Sequence, residues 1–347
     1  MSGKGAIGWI GLDAPVEIIA AAGYRPVRMD PDPLEPITLA SAYSEGGGHP
    51  WIRAAVERVL REGESLQGLV IGSTPVLGVW LYNFLLTLGS LGSAPPLPPI
   101  HLCNITHLRQ PFAAAFNAAS LRALAEALGA TPAAVAAAIE ERNALRGLLR
   151  RIEARRQAPG PALLGSQARR LLDAADTMDP ADYLASAEQA LAELTDEGAG
   201  SMTPIVLSAP GSPNLDLYRA LEAANLVVVL DDMDFGSRAI GPDTPAGDPF
   251  DGLAQRYGDR VPSPSGWSTA ARIEWVVAAA RERGAAGVVF DLPAWAHSAA
   301  WDLPRLRRTL QDAGLAACVL PGDAPPGEAA AIAADLLNSS ARGVRHG

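Results

Sequence analysis

Short apolar runs alternate with amphipathic segments along the N-terminal third of the chain. The runs GAIGWIG, RPVRM, LQGLVIG and PIHLC have the length and aliphatic content of buried strands. Helical spacing of apolar positions follows the first run, with Asp13 as the expected N-cap and Pro15 in the first turn. It recurs over PWIRAAVERVLREG and VLGVWLYNFLLTLG. Strands that alternate with helices predict a parallel sheet with crossover helices, so we expect an α/β domain over residues 1–111.

A different pattern occupies residues 112–200, where Ala, Leu, Glu and Arg recur with helical spacing and no strand candidate interrupts them. This segment predicts about four or five helices. From residue 201 the alternation returns, with the strand candidates TPIVLSAP, LVVVLDD, AAGVVFDLP and LAACVLP. The prediction is an α/β protein with two Rossmann-like parallel-sheet domains, 1–111 and 201–347, and a helical segment between them.

The size and net charge of the chain argue against some classes of function. With 347 residues, of which 48% are apolar, the chain is long enough for two cores. A net charge of -10 disfavours nucleic acid as a partner, because binding to phosphates needs a basic face. No charged-then-apolar leader opens the sequence, and its strongest apolar run is broken by Pro75 and several glycines. We expect a cytoplasmic protein that binds neither nucleic acid nor a membrane.

The chain has two cysteines, Cys103 and Cys318, each on a predicted strand and far apart in sequence. This number and spacing predict no disulfide framework and fit a reducing compartment. Both residues are most simply interpreted as small buried hydrophobes.

Ligands of open parallel sheets bind beyond the carboxyl ends of the strands, so the loops at those ends are the candidate sites. The loops are 11–13, 72–75, 208–212, 231–238 and 291–297.

Two of these loops predict binding of an anion. Ser73 or Thr74 can cap a helix whose free N–H groups would bind a phosphate or carboxylate, and Ser208, Gly211 and Ser212 form a similar turn. The alternative is an ordinary capped helix without a ligand. Neither loop has the spacing of a nucleotide-binding motif, so a Rossmann dinucleotide site is not supported.

The stretch DDMDFGSR places Asp231, Asp232 and Asp234 directly after a buried strand, followed by Arg238. The acids are candidates for general acid or base catalysis or for holding a cation, and Arg238 for binding a carboxylate or phosphate in a bidentate fashion. In the alternative interpretation, one acid pairs with Arg238 and the others are solvated.

The histidines are dispersed along the chain without the local spacing of metal ligands. A metal site would therefore need residues from separate loops, and His49 and His297 are the candidates. The alternative is that these histidines only fill space.

Several segments together resemble the 2-hydroxyacyl-CoA dehydratase and benzoyl-CoA reductase family. The opening stretch fits its Pro-x-Glu-x-x-x-Ala-x-Gly-x-x-Pro-x-Arg pattern at Pro15, Glu17, Ala21, Gly23, Pro26 and Arg28. The resemblance continues, in order, through LVVVLDDMDFGSR, GDPFDGLAQRYGDRVP and the helix with Arg272 and Glu274. It implies two Rossmann-like domains with a helical part, and roles at the site for Glu17, Asp231, Asp232 and Arg238.

The resemblance also implies a four-iron four-sulfur cluster that feeds an electron to a bound acyl-CoA. At positions where the family usually has cysteines, however, this chain has His49, Thr74, Ala296 or His297, and Ser263 or Ser265. Such clusters need several thiolates. We therefore expect no four-iron four-sulfur cluster, and leave open which other cofactor is bound.

Three functional hypotheses remain. The first is a cluster-free subunit that binds an acyl-CoA thioester or pairs with a cysteine-bearing paralogue; if it is catalytic, it is a lyase or a reductase subunit. The second is a non-redox or metal-dependent lyase that uses His49, His297 and the acids of residues 231–234. The third is a non-catalytic scaffold or regulatory subunit. Tryptophan is enriched at interfaces, so we expect a homodimer or a heterodimer with such a paralogue. The tryptophans considered are Trp51, Trp80, Trp267, Trp275, Trp295 and Trp301.

Overall fold

The computed structural model describes most of the chain. The described residues are 4–29, 31–33, 35–44, 48–92, 94–157, 163–178, 180–194, 200–211, 214–260, 263–266, 270–322 and 324–344. Contacts between residues divide the chain into two compact units: unit 1 comprises residues 1–144 and 242–260, and unit 2 comprises residues 145–241 and 261–347. The sequence boundaries at 111 and 200 remain a prediction, because they were drawn from composition and not from contacts.

Unit 1 is built on a parallel sheet of four strands in the order β2-β1-β3-β4. The strands are β1 (Ala6–Ile10), β2 (Arg25–Arg28), β3 (Gly68–Gly72) and β4 (Ile100–Cys103). Its helices are α1 (Val16–Ala21), α2 (Pro50–Glu62), α3 (Leu77–Ser90), α4 (Ala113–Leu128) and the first part of α5 (Pro132–Ala154). Short 3-10 turns cover Ala40–Ala42 and Gly63–Ser65.

The core of unit 1 forms where the apolar strands meet the amphipathic face of α2. Ile10, Leu69 and Ile71 of the strands pack with Val56 and Val59 of α2. A sheet whose strands are buried in this way gains stability by removing aliphatic side chains from water. The helix Pro249–Gly258, labelled α10 below, returns to this unit from a distant part of the sequence and packs against α4.

Unit 2 repeats the arrangement, with the parallel strand order β6-β5-β7-β8. Its strands are β5 (Thr203–Ser208), β6 (Leu226–Asp232), β7 (Gly287–Asp291) and β8 (Ala316–Leu320). Its helices, besides the second part of α5, are α6 (Gly165–Ala174), α7 (Pro180–Ala192), α8 (Leu215–Ala223), α9 (Ser237–Ile240), α11 (Ala270–Glu282), α12 (His297–Asp312) and α13 (Pro326–Val344).

Both faces of the second sheet are covered. Val206 and Val288 face a core shared with α11 and α12, whereas Ile205 and Leu207 face a core shared with α8 and α13. Side chains alternate between the faces of a strand, so covering both faces requires the continuous apolar runs seen in the sequence. The predicted α/β class with two parallel sheets is confirmed, and α4 to α7 lie between β4 and β5 in the chain, as predicted.

The strand orders have a functional consequence. In each sheet the first crossover leads to one edge and the later ones lead towards the other edge. The change of direction falls between β1 and β3 in unit 1 and between β5 and β7 in unit 2. Such a reversal opens a crevice beyond the carboxyl ends of the two strands. Four of the five loops nominated from the sequence follow these central strands, whereas the loop 231–238 follows the edge strand β6.

Within the described ranges, no single helix combines the length and apolarity needed to cross a membrane. The pair formed by α4 and α5, which is bent by 106°, qualifies by length and composition alone.

Candidate functional site

The end of β6 in unit 2 carries the acids predicted to form a site. All seven residues of this strand are buried, including Asp231 and Asp232. Adjacent residues of a strand point to opposite faces of the sheet. Asp231 accordingly contacts Tyr218 of α8, whereas Asp232 contacts Arg272 of α11. The alternative interpretation, that the acids which do not pair with Arg238 are solvated, is therefore wrong, because all three acids are buried.

Asp231 is held by a fully buried network. Both of its oxygens accept hydrogen bonds of 3.0 Å from the guanidinium of Arg156, and Oδ1 accepts one of 2.7 Å from the Tyr218 hydroxyl. Burial alone would raise the pKa of Asp231, but the charge and hydrogen bonds of Arg156, together with the Arg169 charge and the Tyr218 hydroxyl, keep the pKa below its ordinary value. Burial, with the Asp231 charge, raises the pKa of Tyr218 well above its ordinary value. Asp231 is thus an ionised, fully paired group.

Asp232 is paired in a similar way on the other face. It accepts hydrogen bonds from Ser208 Oγ at 2.7 Å and from Arg272 at 2.9 Å, and it forms an ion pair with Arg238. Burial opposes ionisation, yet the charges of Arg238 and Arg272 lower the pKa of Asp232. The Arg238 guanidinium lies 3.8 Å from the ring centroid of Trp275, a cation-π contact. The structure thus brings three predicted residues together, namely Ser208, Asp232 and Arg238.

Asp234 differs from the two acids before it. Its Oδ2 accepts a hydrogen bond of 3.1 Å from the backbone N–H of Gly211, but Oδ1 has no hydrogen-bond partner among the described residues. Burial raises the pKa of Asp234, although the hydroxyls of Ser263 and Ser265 partly oppose this. Gly211 has φ of +75°, a conformation that favours glycine, and this turn directs its N–H at the carboxyl group. The predicted Ser212 lies outside the described residues.

In unit 1 the predicted Ser73 and Thr74 lie after β3, but neither caps a helix. Helix α3 begins at Leu77, and its N-cap is Val76, which makes no side-chain capping bond. Ser73 Oγ instead bonds the backbone of Ile105 in both directions, at 3.0 and 3.2 Å. The prediction of a capping turn is wrong because these hydroxyls find partners on the loop after the neighbouring strand β4.

Thr74 belongs to a cluster that sequence reasoning missed. Its Oγ1 lies 3.2 Å from His107 Nε2, and the same nitrogen lies 3.1 Å from Asp13 Oδ2. His107 Nδ1 lies 3.2 Å from the carbonyl oxygen of Gly258. The predicted N-cap role of Asp13 is wrong, because Pro15 is the N-cap of α1 and Asp13 is buried against His107. The strand-end rule could have found His107, which follows β4 by four residues.

Glu17 lies in the same unit, buried in α1, where its Oε2 accepts a hydrogen bond of 2.8 Å from the Tyr257 hydroxyl of α10. This contact ties the N-terminal motif to the returning helix. The catalytic role expected for Glu17 stays a prediction, as do the roles of Asp231, Asp232 and Arg238.

The metal candidates belong to different units. His49 is the N-cap of α2, and its Nδ1 accepts a hydrogen bond of 3.3 Å from the Trp51 N–H, whereas His297 begins α12 and is exposed. No group of three or more His, Cys, Asp or Glu side chains is arranged for metal binding in the part of the chain that the structure describes. A site that joins the two histidines stays a prediction.

The cysteines are also divided between the units. Cys103 ends β4 and Cys318 lies within β8, and both are buried, as expected. Burial raises the pKa of both thiols, to about 11 for Cys318. Each thiol is therefore protonated at neutral pH.

Comparisons with known proteins match the chain to a family. The chain aligns with a relative from Clostridium sporogenes, the (R)-phenyllactyl-CoA dehydratase beta subunit, at 31% identity over 101 residues. That alignment covers 29% of this chain and 27% of the relative, so the chain matches about a quarter of the relative's length. The family model of the 2-hydroxyglutaryl-CoA dehydratase D-component matches residues 12–334, nearly the whole chain and both units. The chain belongs to this dehydratase family, and the resemblance found in the sequence is confirmed at that level.

Proposed function

We propose that the protein is a subunit of the 2-hydroxyacyl-CoA dehydratase type that carries no iron-sulfur cluster of its own. In this proposal it binds an acyl-CoA thioester or pairs with a cysteine-bearing paralogue that supplies the redox centre. It acts in the cytoplasm, without nucleic acid or membrane as partner.

The observation that carries the proposal is the number, burial and protonation state of the cysteine thiols. Cluster irons are bound by several deprotonated thiolates. The chain contains two cysteines, both buried, and burial holds both thiols in the neutral form. Histidine replaces only some thiolates in such centres, and Thr74 is already occupied by the contact with His107. These residues do not fit a four-iron four-sulfur cluster.

Binding of an acyl-CoA is supported by the strand-end loops and by the family. Both units present polar groups beyond the carboxyl ends of their central strands, where ligands of parallel sheets bind. The relatives are named as dehydratases of CoA thioesters. An acyl-CoA with a 2-hydroxyl group is therefore the first ligand to test.

Pairing is supported by two further observations. The relative is named as a beta subunit, which implies a partner subunit for that protein. In this chain Trp80 of α3 and Trp301 of α12 are 64% and 83% exposed, and large exposed aromatics favour interfaces. Trp267, another tryptophan considered from the sequence, lies outside the described residues.

Anaerobic reconstitution with iron and sulfide tests the absence of a cluster. The expected result is a colourless protein without bound iron after desalting. A brown protein with about four irons per chain, the composition of such a cluster, would contradict the proposal.

Calorimetric titration with a panel of CoA thioesters tests ligand binding. We expect binding by the unchanged protein and weaker binding by Thr74→Val, which removes a buried hydroxyl at the strand end. The matched control is Thr87→Val, since this hydroxyl is exposed on α3 and bonds only its own helix backbone. Absence of heat for every thioester argues against ligand binding.

Light scattering, alone and after coexpression with a cysteine-bearing paralogue, tests association. A homodimer or a heterodimer is expected. A monomer at micromolar concentration in both preparations contradicts this part of the proposal.

A second candidate, a non-redox lyase, is favoured by Asp234 alone. A carboxyl group with a raised pKa, one of whose oxygens has no hydrogen-bond partner within the described ranges, is suited to proton transfer. Elimination of water from a 2-hydroxyacyl-CoA by the aerobic protein, without paralogue or reductant, is the result that distinguishes this candidate from the first.

A further inference from the structure

A groove with a volume of about 330 Å³ opens in unit 2 beside the edge strand β6. Its lining residues belong to α5, β6, α9 and α11, to Gln157 and Arg283 just beyond two of these helices, and to Gly241 after α9. A water molecule takes up about 30 Å³ of the liquid, so the groove has room for a small organic molecule. None of the candidate site residues Asp231, Asp232 and Arg238 is among the residues that line it.

Part of the lining is apolar. Leu230 of β6, Ile240 of α9 and Ala279 of α11 are buried, and the indole ring of Trp275 beside them is half-buried. An aromatic ring with aliphatic neighbours favours a ligand with a flat apolar face, because contact removes that face from water.

The charges that line the groove cancel, since Arg150 and Arg283 are opposed by Glu153 and Glu282. Arg283 donates to the backbone carbonyl of Glu153 at 2.8 Å and forms an ion pair of 3.5 Å with its Oε2. Arg150 donates to the Gly241 carbonyl at 3.2 Å. Because both guanidinium groups already have acceptors and the charges balance, the lining favours an uncharged ligand group.

A hydrogen-bond acceptor and a donor are available at this groove. Glu153 Oε1 accepts a hydrogen bond of 2.7 Å from Arg156 Nη1, but the buried Oε2 accepts none from the described residues. Ser237 Oγ accepts from the same Nη1 at 3.2 Å and from the Asp231 N–H at 3.0 Å. The hydrogen of this hydroxyl has no acceptor in the part of the chain that the structure describes, so it can be donated to a ligand. Since one nitrogen holds both side chains, the acceptor and the donor lie close together.

The burial of the two groups indicates which ligand atoms they meet. The Glu153 side chain is 6% exposed, whereas Ser237 is half-buried. A donor that reaches Glu153 should therefore project from a ligand ring, and the acceptor for Ser237 can be an atom of the ring itself. An amino group next to a ring nitrogen has this arrangement, and adenine carries it as N6–H2 beside N7. Its two fused rings also cover more apolar lining than the single ring of cytosine.

We infer that this groove binds the adenine base of a nucleoside or nucleotide. Glu153 accepts a hydrogen bond from the amino group, Ser237 donates to a ring nitrogen, and Trp275 contacts the rings. The inference depends neither on the absence of a cluster nor on the binding of an acyl-CoA. Adenine could come from a free nucleoside or nucleotide or from coenzyme A, and the experiment separates these sources.

Calorimetric titration of the full chain with adenosine and inosine tests the identity of the base. Inosine has a carbonyl oxygen in place of the amino group, and this oxygen would face the Glu153 carboxylate. Adenosine should bind at least about tenfold more tightly, because a buried acceptor discriminates against a ligand that lacks the donor. Equal affinities, or no binding of adenosine at millimolar concentration, overturn the inference.

Ala154→Trp tests the location of the site without changing a buried group. Ala154 is exposed at the end of α5 and lines the groove, so a large side chain there should block it. The affinity for adenosine should fall at least about tenfold, as it does when a central contact is lost. Ala144→Trp is the matched control, because Ala144 is exposed on the same helix and is not among the lining residues. Equal affinities of the two variants overturn the location.

Glu153→Gln tests the contact with the amino group. Its amide oxygen can still accept from Arg156, so an NH2 donor then replaces the acceptor Oε2. The preference for adenosine over inosine should disappear, and this ratio does not depend on the folded fraction of the sample. A preference that persists overturns the role of Glu153.

Competition between adenosine and coenzyme A identifies the source of the base. If coenzyme A displaces adenosine and Ala154→Trp weakens both, the groove holds the base of coenzyme A. If adenosine binds and coenzyme A does not compete, the groove takes a free nucleoside or nucleotide. Either result supports the adenine site. Failure of every CoA thioester to bind removes the proposed acyl-CoA ligand and leaves this site in place.

Discussion

The guanidinium of Arg156 and the carboxylate of Asp231 form a bidentate pair with two hydrogen bonds of 3.0 Å, and neither side chain is exposed to solvent. Arg156 also donates to the Val228 carbonyl at 3.0 Å and to Glu153 at 2.7 Å. It therefore joins the region after α5 to the middle and the end of β6. Asp232, the last residue of β6, and the loop with Asp234 follow directly after this fixed point.

Replacing Arg156 with methionine should strongly destabilise the protein. The change leaves Asp231 buried without its counter-charge, which typically costs about 3–5 kcal/mol. Urea denaturation followed by circular dichroism measures the free energy of unfolding. Arg151→Met is the control, because Arg151 pairs with Glu188 on the exposed surface, and it should leave the denaturation midpoint nearly unchanged. Equal effects of the two substitutions contradict the role assigned to Arg156.

Stability should fall steeply in acid. The pKa values of Asp231 and Asp232 are lowered in the folded state, so the folded state binds protons less readily than the unfolded one. Their contribution is complete above the unfolded pKa of about 3.9 and is lost as the pH falls through the lower folded values. Denaturation curves at a series of pH values measure this. A free energy of unfolding that stays constant below about pH 4 is the contrary result.

The free energy of unfolding of Asp234→Asn, minus that of the unchanged chain, should be larger at neutral pH than at acidic pH. The pKa of Asp234 is raised, so its contribution is complete below about pH 3.9 and is lost as the pH rises through the folded pKa. Asparagine stays uncharged and does not incur this loss. Denaturation at acidic and neutral pH checks the difference, with Asp216→Asn, on the exposed start of α8, as control. A stability difference that does not grow with pH would contradict the raised pKa.

Neither cysteine of the native protein should react readily with a thiol reagent at neutral pH. Both thiols are buried, and their raised pKa values leave little thiolate, which is the reactive form. A colorimetric thiol assay should count two thiols per chain in denaturant, the number in the sequence, and almost none before unfolding. Rapid reaction of one thiol in the folded protein is the opposing result.

Gly78→Ala should destabilise unit 1, because an added Cβ would lie 2.1 Å from the carbonyl oxygen of Gly72 at the end of β3. Helix α3 would have to move away from the strand, at a cost of about 1–3 kcal/mol or more. Gly89→Ala in the same helix is the control, since its Cβ would meet only Leu97 Cδ1, at 3.7 Å. That change should stabilise the protein by about 0.5–1 kcal/mol. Thermal denaturation compares the two variants, and similar melting temperatures would argue against a tight contact of α3 with β3.

Much of the architecture follows from local pattern. The apolar runs at β1, β3, β5 and β7 have the length and content of strands covered on both faces, and the intervening helical spacing favoured parallel connections, as the structure has them. The same pattern located the strand-end loops, including Asp231 and Asp232, because their position depends on where an apolar run ends. The order of motifs along the chain was enough to identify the family.

The partners of the polar side chains were decided only by the tertiary structure. Asp13 has the local signature of a helix cap but contacts His107, and Asp231 pairs with Arg156, a residue 75 positions away, and not with nearby Arg238. Sequence also could not distinguish Asp232, whose charge is paired with arginines, from Asp234, whose pKa is raised by burial. The physical reason is that apolar periodicity is written into neighbouring residues, whereas a buried charge is satisfied by whichever groups the packing of distant segments brings within about 3 Å.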